Sequence, residues 1–239
     1  MIGNTRVCLV VLCALVAQYG CASRTYFLES QPSLSKTSPF SSTKVYSFNE
    51  FVDLTGRGLH NPMTVSGVEM ATQLFNERTL RSYDISFVVP IPEKIVDTAI
   101  RTRPFLINLR MRADGDGATF DASASELYFE GQVAPIKVDK ALLVQRAYWG
   151  YYDIPAGAVE PVRGKIAIFN KQTVMTASGK EITDMSIPHK TYLQLRFDVE
   201  TPDPSEKFHL KLGTIITPSG ESVRPTIYFT PINYVEIMH

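Results

Sequence analysis

The side chains most able to do chemistry are the four histidines, His60, His189, His209 and His239, because imidazole titrates near neutral pH and binds metals. They are scattered, and none has another His or a Cys at metal-ligand spacing. His209 alternates with Lys207 and Lys211, which predicts a solvent-facing ring. A catalytic triad can assemble from distant positions, but no Gly-x-Ser-x-Gly elbow or His-Glu-x-x-His pair accompanies these histidines. A hydrolase with a dispersed site is therefore carried only as the third alternative.

Oxygen ligands come next. Asp114-Gly115-Asp116-Gly117 with Asp121 invites comparison with a calcium loop. Such a loop needs oxygen ligands at alternating positions and a bidentate Glu at the twelfth. Counted from Asp114, the fifth position is Ala118 and the twelfth is Ser125, so the pattern fails twice. Asp and Gly also tolerate the positive φ of tight turns, and a hairpin connection accounts for them without metal. No metal site and no cofactor are expected.

The third candidate is aromatic. Tyr148-Trp149-Gly150-Tyr151-Tyr152-Asp153 contains the one tryptophan and three of the eleven tyrosines. On an exposed loop, Tyr148, Trp149, Tyr151 and Tyr152 would form a sugar-stacking platform or a protein-contact hot spot. Buried, they would be aromatic packing at a strand end, where such residues are common.

The elements that must position these residues read as strands. Phe105, Ile107, Leu109 and Met111 alternate with polar neighbours, as do Tyr192 to Glu200 and Phe208 to Leu212. Further candidates are Tyr83–Val89, Ser125–Glu130, Ile136–Val144, Lys165–Phe169 and Thr226–Phe229. The Tyr192 strand is expected to meet the Phe208 strand across the turn-rich 201–206. Many short strands bounded by Pro, Gly, Asp and Asn predict an all-β fold, a sandwich or barrel, and the favoured reading is a β-sandwich of short antiparallel strands spanning 44–239 as one domain. The prolines suit strand ends and edges. One short helix is expected near residues 67–79, where Ser66-Gly67-Val68-Glu69 fits a capping box and Val68, Ala71, Thr72 and Phe75 share a helical face. The β-branched residues in that segment leave a strand open.

The first twenty residues have a different character. Met1–Arg6 is short, polar and cationic, and Val7–Ala17 is wholly apolar. Eleven residues at ~1.5 Å rise span roughly 16 Å, about half of a ~30 Å hydrocarbon core. That suits a signal peptide over residues 1–20 better than a permanent membrane helix. Gln18-Tyr19-Gly20-Cys21-Ala22-Ser23 resembles the lipobox of bacterial lipoproteins. There a small residue precedes a cysteine that receives diacylglycerol, a role that falls on Cys21 here, with palmitate a typical acyl chain of such anchors. Gln18 stands where an aliphatic residue is usual, and cleavage after Ala22 or Ser23, releasing a soluble secreted protein, is the alternative. Cys8, Cys13 and Cys21 are the three cysteines, so the chain after Cys21 carries no disulfide and must be held by its core. Residues 21–43, rich in Ser, Thr and Pro, are expected to form the lipidated cysteine and a flexible tether.

Charge excludes one class of partner. Without residues 1–20, whose one basic side chain is Arg6, 23 basic residues face 24 acidic ones. A near-neutral chain without a basic stripe is not built for nucleic acid. Phe197–Glu200, Phe208–Leu210 and Pro225–Phe229 resemble periplasmic β-sandwich lipoproteins, a likeness that implies fold and no chemistry. The lipobox resemblance implies an envelope protein, attached to the outer membrane and facing the periplasm, since Ala22 and Ser23 offer no Asp retention signal. The resulting expectation is a non-enzymatic envelope lipoprotein that contacts a protein partner or supports an envelope assembly. The alternative is a periplasmic ligand- or glycan-binding module using the Tyr148–Tyr152 aromatics.

Overall fold

A computed structural model describes residues 22–37, 40–41, 43–55, 62–85, 97–99, 101–149, 152–162, 164–168 and 191–238. Among these the fold is all-β, in three sheets. The largest has eight strands. Its spine is β1 (Ala22–Ser33) antiparallel to β18 (Thr226–Met238), in register from Ser23 opposite Met238 to Ser33 opposite Tyr228. On one side β1 pairs with β5 (Arg78–Ile85), followed by β6 (Thr98–Ala99). On the other side, β18 pairs first with β15 (Phe208–Lys211), then β9 (Glu126–Phe129) and β10 (Ile136–Lys137). Further along, β18 pairs in parallel with β2 (Val45–Ser47). Pro231, which has no backbone donor, falls between the β15 and β2 pairings.

The second sheet has six strands in the order β12 (Tyr152–Pro161), β11 (Lys140–Trp149), β14 (Thr191–Phe197), β7 (Phe105–Ala113), β4 (Val68–Gln73) and β3 (Met63–Val65). Here the period-two pattern sets the register. Leu193, Leu195 and Phe197 lie opposite Leu109, Ile107 and Phe105, and all six are at most 1% exposed. A one-residue slip would turn that apolar set to the other face. The third sheet, β13 (Lys165–Ala167), β8 (Thr119–Asp121), β16 (Ile215–Ile216) and β17 (Ser222–Val223), adds Phe120 and Ile215 to the same core. The two larger sheets face each other across this core as a sandwich. Phe105 of one meets Phe208 of the other edge-on at 5.9 Å between ring centroids. Each fully buried aliphatic or aromatic side chain contributes about 1.5–3 kcal/mol by leaving water.

Three expectations are corrected. Residues 67–79 hold no helix. Ser66 (φ 45°) and Gly67 (φ 78°) both have positive φ, the pattern of a two-residue hairpin turn, and they join β3 to β4 with Val65 opposite Val68. Glu69 then lies opposite Arg112 and accepts its guanidinium at 2.7 Å instead of capping a helix. The helix among the described residues is α1 (Phe48–Thr55). It starts with its own capping box: Ser47 Oγ accepts from the Glu50 N–H at 3.3 Å, and Glu50 Oε2 accepts from the Ser47 N–H at 2.9 Å.

Residues 22–33 are not a tether. They form β1, paired on both sides, because their polar side chains find partners inside the protein. Buried Ser30 accepts from Asn76 Nδ2 at 2.8 Å and donates to the Pro204 carbonyl at 3.4 Å. Thr25 meets Ser82 at 3.0 Å.

The Tyr192 and Phe208 strands, β14 and β15, do not pair either. They belong to different sheets, and 201–206 carries the chain across the sandwich. That crossing is pinned by Asp203, which accepts from Ser205 Oγ at 2.6 Å and from Arg78 at 2.9 Å. Burial raises the Asp203 pKa, but Ser205 and Arg78 outweigh it and hold the carboxylate below its ordinary value.

Candidate functional site

The sequence-derived candidates separate in space. Tyr148 and Trp149 end β11 and Tyr152 opens β12, with Trp149 directly opposite Tyr152. Tyr151, like Cys21, lies outside the described residues, as do His60, His189 and His239. Among the described residues, β14 pairs with β11 from Lys140 to Leu143, and β12 pairs with it as far as Trp149. The aromatic positions therefore sit at the far end of the β11–β12 hairpin. Its other strand, β12, ends the sheet order and contains Pro155 and Pro161, which cannot donate to a further strand.

Asp114 to Gly117 join β7 to β8 across two sheets, a correction to the hairpin expected there. The Asp114 N–H donates to the Gly67 carbonyl at 2.8 Å. Asp121 is part of β8, and its carboxylate accepts from Ser123 at 2.6 Å. Among the described residues no three His, Cys, Asp or Glu side chains are placed to hold a metal.

His209 occupies a site that its sequence neighbourhood does not reveal. Pairing of β9, β15 and β18 puts Tyr128, His209 and Tyr228 side by side on the sheet face turned away from the sandwich core. The Tyr128 and His209 rings stack at 4.8 Å with 2° between planes, and Tyr228 follows at 5.4 Å. Rings standing face to face present edges outward, so the row offers two phenol groups and an imidazole. Tyr128 donates to Glu126 at 3.0 Å, an acceptor that raises its pKa. Burial lowers the His209 pKa from its ordinary 6.5, and Lys36 lowers it further.

The row borders a pocket of about 430 Å³ whose polar lining is Lys36, Glu130, Lys207, His209, Tyr228 and Thr230. Lys36 is brought there by the bend after β1, where Ser35 Oγ meets Thr37 Oγ1 at 3.0 Å and the Ser35 N–H donates to Ser33 Oγ at 3.0 Å. Lys207 immediately precedes β15, and its carbonyl accepts from the Glu130 N–H at 3.1 Å. Among the described residues, neither ammonium is in an ion pair.

The class that fold and site define is an all-β sandwich with an aromatic-bearing hairpin and a cationic pocket on one outer face. The chain matches no family model, no curated protein and no solved structure.

Proposed function

We propose that the chain is a non-enzymatic lipoprotein of a bacterial cell envelope, attached to the outer membrane by acylated Cys21 and engaging a protein partner through the β11–β12 hairpin. The observation that carries the contact is the pairing of Trp149 opposite Tyr152 at the end of this hairpin, its last described register. Tyr and Trp dominate the energetics of protein interfaces, since they bury large rigid surfaces at little entropic cost. The export half rests on the apolar run Val7–Ala17 and on Gly20-Cys21 after it. Because β1 begins at Ala22, an acyl group on Cys21 would hold the sandwich close against the bilayer, without a spacer.

Two changes test this reading in the full chain, expressed in its envelope. Cys21→Ser should move the protein from the membrane to the soluble fraction; a variant that stays membrane-bound removes the anchor. A photo-crosslinking residue at position 152 should give one crosslinked species of defined mass. Replacing residues 147–154 by Asn-Gly, which closes Arg146 and Pro155 with a two-residue turn, should abolish association with that species without lowering the melting temperature. Unchanged association, measured by co-purification, refutes the hairpin contact.

A further inference from the structure

The pocket beside the Tyr128–His209–Tyr228 row is independent of the hairpin. Three of its donors have no acceptor among the described residues. Lys36 and Lys207 are exposed ammonium groups outside any ion pair among the described residues, and the Tyr228 hydroxyl has no hydrogen-bond partner there. Among the described residues the lining includes no arginine. That selects among anions, because a guanidinium fork matches a planar carboxylate, whereas two mobile ammonium point charges suit a tetrahedral dianion. A volume of about 430 Å³ has room for more than a bare anion and falls in the range of small-molecule pockets, roughly 300–1,000 Å³. Among the described residues Glu130 is the one carboxylate on the wall. It would repel a second anionic group and accept hydrogen bonds from hydroxyls.

We propose that this pocket binds a phosphomonoester carried on a small polyol, the class of sugar phosphates, with Lys36 and Lys207 taking the phosphate and Glu130 and Tyr228 the hydroxyl groups. Positive charge recognises the phosphate, and the acid and the phenol distinguish the polyol from inorganic phosphate. Binding is electrostatic at exposed ammonium groups, so it weakens as salt is added.

Calorimetric titration of the full chain in mild detergent at low ionic strength tests this with glucose 6-phosphate, glucose and inorganic phosphate. Glucose 6-phosphate should bind more tightly than either, and the double variant K36A/K207A should weaken it about tenfold or more. K44A, which removes an ammonium paired with Glu50 away from the pocket, should leave binding unchanged. Absence of glucose 6-phosphate binding, or equal binding by K36A/K207A, overturns the site. Inorganic phosphate binding as tightly as the ester overturns the polyol half. Dihexanoyl phosphatidic acid provides the lipid-headgroup arm. Tighter binding of that compound, with the same lysine dependence, would overturn the sugar phosphate and assign the pocket to a lipid.

Discussion

The outer face of the eight-stranded sheet has two ends, both written along β18 by alternate residues. At one end, Ile232 and Tyr234 lie under α1 with Tyr46 and Phe51, all four at most 6% exposed. Tyr234 is stacked between Phe51 at 4.0 Å and Phe27 at 5.1 Å, and its hydroxyl donates to Glu77 at 2.7 Å. At the other end, Tyr228 and Thr230 border a pocket flanked by lysines. The same strand and residue type thus serve as core where a helix covers the face, and as part of a pocket wall where none of the described elements does. What separates them is the partner that the rest of the chain delivers, an eight-residue helix to one end and the Ser33–Thr37 bend to the other.

The largest break in this contrast comes from Phe51→Ala. Removing a fully buried aromatic from the closed end should cost about 3–5 kcal/mol, read as a lower urea midpoint. Glucose 6-phosphate binding at the other end should survive wherever the protein is folded. A loss below about 1 kcal/mol would mean that α1 contributes little to holding this face.

A sharper comparison makes one substitution twice. Tyr234→Phe deletes the donor to Glu77 and should cost about 1–2 kcal/mol. Tyr228→Phe deletes a hydroxyl without a partner among the described residues and should stay within about 0.5 kcal/mol. Equal effects in chemical denaturation would erase the distinction between the two ends.

The smallest effect is a pH slope. His209 is held below 6.5 by burial and by Lys36, so below 6.5 the unfolded chain takes up this proton first. Stability from this group is complete above 6.5 and is lost as pH falls from there towards the lowered folded value. Around His209 stand Lys36, Lys207, Glu130, Tyr128 and Tyr228, and His209 is the one whose ordinary pKa falls in that window. Urea midpoints at about pH 7.5 and about pH 5.5 should differ more for the parent chain than for His209→Asn. An identical difference in the two proteins would assign the slope to other groups.

These ends also mark how far the sequence can be read. Strands β7 and β14 were legible because both faces obey one rule, apolar inward at every second residue. β1 was not, since its buried positions include Thr25, Ser30 and Gln31, which composition assigns to water until Asn76, Pro204 and Ser82 are brought against them. The Ser-x-x-Glu pattern occurs at Ser47, Ser66, Ser123 and Ser178, and local motif matching could not choose among them. Gly67 was the discriminating residue, because a positive φ beside Ser66 makes a hairpin that a helix start does not need. The aromatic cluster was visible as composition, whereas its place at a hairpin end required the pairing of Trp149 with Tyr152. The pocket could not have been read locally: Lys36 and Lys207 meet only after the first and last strands of the sheet have paired.

That pairing of β1 with β18 also sets an order of events. Ser23 cannot find Met238 until nearly the whole described chain has been made. A contact of such sequence separation is slow to close, and the pieces around it wait with unpaired strand edges. The half-made chain is therefore the vulnerable species, and a chaperone that covers β1 until β18 arrives would suit this topology.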